Sequence, residues 1–294
     1  MGHRTPPEHA VDFHAHAFPQ KVAARAVESL AAAYGVTPVA EPTIAGLLKT
    51  MDEAGIDISV VAPVATRPDQ VRSINDWAAA TRSARIVCLG AIHPGLDDLA
   101  AEAERVAGLG LPGIKLQPNF QQFVPDDRRL WPLYEVMQGR LVALFHSGQE
   151  IAPLAQVYAA PAALARVHEA FPGLKMVIAH MGGYRMWDEV REHLLGRDVY
   201  LDSSYCPEED LSDDALLDMI QTHGPARVVF ASDFPWGHPG RDLRRLARLG
   251  LAAEDLEAVA WRNACRLLGL RLGERPARQG GQPDGGGAHQ DCEG

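Results

Sequence analysis

The stretch Val11-Asp12-Phe13-His14-Ala15-His16 reads as a buried strand that ends in two histidines. Side chains of a strand alternate between faces, so His14 and His16 point the same way, roughly 6.5–7 Å apart at Cα, and can close on one metal ion. Outward from this stretch the same pattern returns. Short apolar, β-branched-rich runs stand at 58–62, 86–92, 113–116, 141–145, 175–179, 199–202 and 227–231, each bounded by Pro, Gly or charge. With the first run they make eight candidate strands. Helical periodicity separates them, at 21–33, 44–54, 68–83, 96–108, 129–138, 153–170, 186–195, 212–223 and 242–249.

Eight nearly continuous apolar strands alternating with helices imply a parallel sheet covered on its outer face, and eight is the number that closes a (β/α)8 TIM barrel. An open, doubly wound sheet is disfavoured: no Gly-x-Gly-x-x-Gly turn follows the first strand, and polar residues gather at the C-terminal ends of many strands. In a barrel that end carries the active site. The expected organisation is a flexible N-terminus over 1–9, one barrel over 10–272, and a disordered tail over 273–294 that is dominated by Gly, Gln, Pro and charge.

With 294 residues, 47% of them hydrophobic, the chain can bury one large core. A formal charge of −10, from 38 acidic against 28 basic residues, argues against nucleic acid or an anionic membrane as partner and for a small-molecule substrate. No secretory signal or membrane-length apolar run is present, so a cytoplasmic location is expected. Cys88, Cys206, Cys265 and Cys292 are far apart and form no Cys-x-x-Cys pair, which points to reduced, structural thiols.

The chemistry stands at the strand ends. Phe145-His146-Ser147-Gly148, Ala179-His180-Met181-Gly182-Gly183 and Ala231-Ser232-Asp233-Phe234-Pro235-Trp236 add two histidines and an aspartate to the first pair. Imidazole nitrogen with carboxylate oxygen suits a cation such as Zn²⁺, and a catalytic site keeps one position for water. Alternation places Lys115 on one face with Gln117, pointing into the barrel if Ile114 and Leu116 pack outward.

These elements, with Gly113-Ile114-Lys115-Leu116-Gln117-Pro118, Tyr200-Leu201-Asp202-Ser203-Ser204 and the closing Asn263-Ala264-Cys265-Arg266-Leu267-Leu268, recur in order from about residue 10 to 270. In that order the chain resembles the amidohydrolase superfamily, in its amidohydrolase-related, aminocarboxymuconate-semialdehyde decarboxylase-like branch. The resemblance implies one divalent metal held by His14, His16, His146 and Asp233, with His180 beside a metal-bound water, and His180 and Asp233 as the catalytic acid–base groups. It also implies an alternative, a binuclear site bridged by carboxylated Lys115, against the plainer role of a cation near the carboxylate ligand.

His93 and His238 are expected near the pocket, and His168, His193 and His223 on the solvent side of outer helices. Arg67 and Arg185 are the candidates for pairing a substrate carboxylate. Phe120, Phe123, Trp187 and Trp236 are the candidates for an apolar wall. The activity expected first is hydrolysis of a C–N or C–O bond by metal-activated water, because the connection after the first strand reads as short; the alternative is non-oxidative decarboxylation of an aromatic or enoic acid. A metal-free binding protein is disfavoured, since all five polar positions are present. Oligomeric state is open, with a homodimer the commonest assembly.

Overall fold

The computed structural model describes residues 7–272. The tail expected at 273–294 lies outside the described residues, as do residues 1–6 of the expected N-terminus. His9 is buried, with its ring against Trp261 and Nδ1 3.3 Å from Asp57. The ordered barrel therefore includes the end of the segment expected to be flexible.

The strands are β1 (Val11–Ala15), β2 (Ile58–Val61), β3 (Ile86–Cys88), β4 (Gly90–Ala91), β5 (Gly113–Leu116), β6 (Val142–Phe145), β7 (Lys175–Ile178), β8 (Tyr200–Asp202) and β9 (Val228–Val229). All pairs are parallel, in the order β1-β2-β3 and β4 through β9. β3 and β4 are two parts of one barrel strand, interrupted at Leu89. There the side chain of Asn75 takes over the ladder, accepting from the Ala91 N–H at 2.7 Å and donating to the Ala91 carbonyl at 3.0 Å. The barrel closes where the Phe13 N–H donates to the Phe230 carbonyl at 2.9 Å and Ala15 bridges Phe234. Asp12 fastens the same seam, accepting from the Ser232 N–H at 2.8 Å and its hydroxyl at 2.6 Å.

Alternation along the strands sorts the core into two layers. Val11, Phe13, Val60, Val142, Leu144, Val177 and Val229 fill the barrel, with Ala264 and Leu267 of the closing helix at its base. Ile114, Leu116, Phe145, Ile178, Leu201 and Phe230 face outward and pack under the helices. Lys115 therefore points inward between Ile114 and Leu116, as alternation requires.

Several helix boundaries differ from the periodicity. The helix expected over 153–170 begins only at Pro161, whose missing N–H suits the first helical position, and 151–157 forms bends. The connection after β1 is long: it holds two helices, Gln20–Tyr34 and Ile44–Ala54. His223 faces inward, its Nε2 donating to the Val199 carbonyl at 2.8 Å, which corrects the expected solvent exposure. Among the described residues no helix is long and apolar enough to cross a membrane.

Candidate active site

The floor of the site is built by strand ends. His14 should oppose Phe13 across the strand, yet both face the interior. The β1–β2 register shifts between Asp12 and Ala15, and that irregularity brings His14 inward. Asp233 and His180 reach the floor from left-handed backbone, at φ 61° and 59°, conformations that cost of order 1–3 kcal/mol each and persist where the surroundings enforce them. The enforcement is visible. Asp233 N–H donates to the His14 carbonyl at 2.8 Å, His180 N–H to Asp202 Oδ1 at 3.0 Å, and Met181 N–H to the Asp202 carbonyl at 2.7 Å.

His14, His16 and Asp233 converge, each offering a ligand atom within 4.8 Å of the others. His16 Nε2 lies 3.1 Å and His14 Nε2 3.6 Å from Asp233 Oδ1. The distal nitrogens fix the tautomers. His16 Nδ1 donates to the Ala62 carbonyl at 2.8 Å and His14 Nδ1 to Asp202 Oδ2 at 3.0 Å, so both Nε2 atoms present lone pairs toward the carboxylate. Two nitrogen acceptors and one carboxylate oxygen facing one another, with no proton between them, call for a cation. That donor set fits a divalent metal ion.

His146, the fourth ligand expected, is placed apart from this trio. Its Nδ1 lies 3.1 Å from His180 Nε2, and its Nε2 lies 3.0 Å from Glu150 Oε1 without hydrogen-bond geometry, leaving that buried nitrogen without a hydrogen-bond partner. His180 Nδ1 donates to the Ser204 carbonyl at 3.0 Å, so its Nε2 accepts and His146 Nδ1 carries the proton between the rings.

Lys115 Nζ is buried 3.0 Å from His14 Nε2 and uses the lone pair that a metal at His14 needs. A metal held by His14 would take that lone pair in place of the ammonium. Burial pushes Lys115 down to about 8 against the pull of Asp202, Asp233 and Glu150. Burial and the Lys115 charge push His14 down to about 3, which keeps it a neutral ligand. Burial raises carboxyls, but the hydrogen bonds from His14 Nδ1 and Ser204 hold Asp202 down at about 2, and the direction for Asp233 is likewise downward, below the carboxylate range. Burial also lowers His180 and raises Asp12 to about 7.

Above the floor opens a cavity of about 680 Å³ walled by Phe18, Trp77, Phe120, Tyr184, Tyr205 and Trp236. Gln117 lines it and donates to Glu150 at 3.2 Å. Other expected contacts point elsewhere. Arg67 is exposed and pairs with Asp69 at 2.9 Å; Arg185 pairs with Asp210 at 3.0 Å and stacks over Tyr184; neither lines the cavity. His93 and His238 accept from the N–H groups of Gly95 and Gly240 and act as turn and helix caps. Phe123 is in the outer core, and Trp187 donates to the His180 carbonyl at 3.1 Å from outside.

Of two further supporting residues, one carries a signal in the sequence and the other does not. Asp202 ends an alternating strand in register with Tyr200, which points it inward, and it holds His14, His180 and Ser204 at once. Glu150 lies four residues past His146 on a loop, a spacing with no strand logic, and only the fold brings it to the floor.

With this geometry in place, the family profile described as Amidohydrolase matches residues 11–270. The chain belongs to the amidohydrolase family. No curated protein matches this sequence significantly. Among solved structures, this amidohydrolase is similar to 5-carboxyvanillate decarboxylase from Sphingomonas paucimobilis, with TM-score 0.68, 20% identity, and coverage of 90% of this chain and 100% of that one. It is similar to a dihydroxybenzoic acid decarboxylase from Polaromonas sp. JS666 with bound manganese and 2-nitroresorcinol, with TM-score 0.68, 18% identity, and coverage of 91% and 98%. It is also similar to a putative 2-pyrone-4,6-dicarboxylic acid hydrolase from Pseudomonas putida, with TM-score 0.64, 21% identity, and coverage of 90% and 99%. At these identities the likeness establishes the TIM-barrel fold.

Proposed function

We propose that this amidohydrolase is a metal-dependent, non-oxidative decarboxylase of an aromatic or enoic carboxylic acid. The observation that carries the reading is the aromatic-walled cavity set directly over a polar floor whose one ammonium is Lys115. The expectation of hydrolysis leaned on a short connection after the first strand. That connection instead carries the helix Gln20–Tyr34, whose Val22 and Ala26 line the cavity, so the argument for hydrolysis falls away.

One divalent ion per chain is assigned to His14, His16 and Asp233; His146, which follows β6 and keeps an unpartnered Nε2, stands outside that trio. Zn²⁺ suits the imidazole-rich set, and Mn²⁺, bound in a solved relative, is the competing ion. A bound ion supplies Lewis acidity for the substrate's oxygen atoms. The binuclear alternative is disfavoured: Lys115 meets His14, not a second cluster of ligands, among the described residues.

The protein's own groups then divide the work. Trp236, Phe120 and Trp77 hold the ring or double bond and keep water away from it. Lys115 attracts the carboxylate to the floor. In the step itself a proton is added to the carbon that bears the carboxylate, the C–C bond breaks, its electron pair stays on that carbon, and CO₂ leaves. Asp233 and His180 line the floor and are the groups assigned to relay that proton: Asp233 rests ionised and His180 Nε2 rests as an acceptor, so the proton is taken up from solvent before it is delivered to carbon.

The test is a panel of aryl and enoic acids beside a panel of lactones and amides, followed by CO₂ release and by product analysis. In deuterated water, a decarboxylase gives product with one deuterium on the former carboxyl carbon. Turnover of lactones or amides without CO₂ release would return the hydrolase reading.

A further inference from the structure

Resting on the decarboxylase reading, we infer that the cavity selects a monocarboxylic acid with an uncharged, largely apolar remainder, and discriminates against dicarboxylic acids. Among the described residues that line the cavity, Lys115 is the one lysine or arginine, and it lies at the floor, 2% exposed. The two arginines placed by sequence to meet a carboxylate, Arg67 and Arg185, are held by Asp69 and Asp210 on the outside.

Once the first carboxylate has engaged the floor, a second on the same substrate must point along the cavity toward the wall. The wall offers Phe18, Trp77 and Trp236, with the neutral Thr66, Gln70 and Ser73 beyond. The other charged group off the metal trio is the Glu150 carboxylate. Its Oε1 is fixed by the amides of Gln117 at 3.2 Å and Asn119 at 3.0 Å, so it stays in place as an anion. A second carboxylate therefore loses its hydration and meets aromatic carbon, neutral hydroxyls and amides, or the like charge of Glu150, with no second lysine or arginine of the lining to pair it. A cavity of about 680 Å³ falls within the roughly 300–1,000 Å³ that accommodates drug-sized ligands, so the space for a large apolar remainder is present.

This separates the chain from two of its solved relatives, whose names describe carboxyvanillate and a pyrone dicarboxylic acid, each a compound with two carboxyl groups. The shared fold therefore does not carry the shared substrate charge.

The experiment is equilibrium binding to the metal-containing protein, read by quenching of tryptophan fluorescence, since Trp77 and Trp236 line the cavity. The matched probes are benzoate against isophthalate and cinnamate against its para-carboxy derivative. The expected result is that each monoacid binds at least about tenfold more tightly than its diacid partner. In Ser73→Arg, which adds a cation at the cavity rim, the ratio should narrow through a gain by the diacid. Equal or tighter binding of the diacids to the wild type would overturn the inference and leave the decarboxylase reading standing, as would a ratio that Ser73→Arg does not move. Failure of every acid to bind would remove both.

Discussion

The β1/β9 side of the floor and the β6/β7 side are built from the same residue types and do opposite things with them. On the first side, His14 and His16 give their distal protons to separate acceptors, Asp202 and the Ala62 carbonyl, and turn two lone pairs on one carboxylate oxygen of Asp233. On the second, His146 donates one hydrogen bond to His180 between their rings, and the line ends at a nitrogen facing Glu150. The first arrangement collects a cation at one point. The second orders protons along a line and leaves one end open. The residue that joins them is Asp202, which fixes the tautomer of His14 and the backbone of His180.

Removing a member of the convergent side should have the largest effect. His16→Ala is expected to lower turnover by more than 10²-fold, beyond the roughly 10–100-fold typical of a residue that only supports a ligand; steady-state kinetics on the best acid of the panel checks it. Asp202→Asn should fall within that 10–100-fold range, because it loosens both sides without removing a ligand atom. A drop no larger than that of a distant surface variant would show that the hub is not needed.

A buried histidine remote from the floor serves as the control for titration. Burial lowers His223 to about 4 from an ordinary value near 6.5. Between those values the unfolded chain binds a proton that the folded chain does not, so stability is complete above about pH 6.5 and falls as the pH drops toward 4. Urea unfolding should show this group contributing about 3 kcal/mol across the window, and His223→Gln should flatten that part of the pH dependence. The smallest effect is expected on the β6/β7 side. Glu150→Gln keeps an acceptor for Gln117 or Asn119 and offers His146 a donor, so turnover should fall less than about tenfold with metal content retained.

The barrel was legible because its strands obey alternation, and the trio because its members stand at the ends of those runs, although a register shift in β1 and left-handed backbone at Asp233 set their final direction. Apolar runs gave the eight barrel strands, and His14, His16, Lys115 and Asp233 stand where those runs end. Reading the strand ends further would also have found Asp202. What alternation cannot give is the direction of loop side chains. Arg67 and Arg185 follow strands closely in sequence, yet each finds a nearer carboxylate outside the cavity, in Asp69 and Asp210. Glu150 and the cavity-lining Val22 belong to irregular or inserted segments, whose placement depends on tertiary packing. Leu89, where one strand breaks in two, was hidden because Asn75, sixteen residues before Ala91, supplies the missing ladder bonds.

The most direct test of the convergent site is the metal content of purified wild type, His16→Ala and Glu150→Gln, each measured per chain after growth with zinc or manganese. About one divalent ion is expected in the wild type and in Glu150→Gln, and its loss in His16→Ala. Equal loss in both variants, or no ion in the wild type even after addition of either metal, would contradict the assignment of His14, His16 and Asp233 as the cation-collecting side.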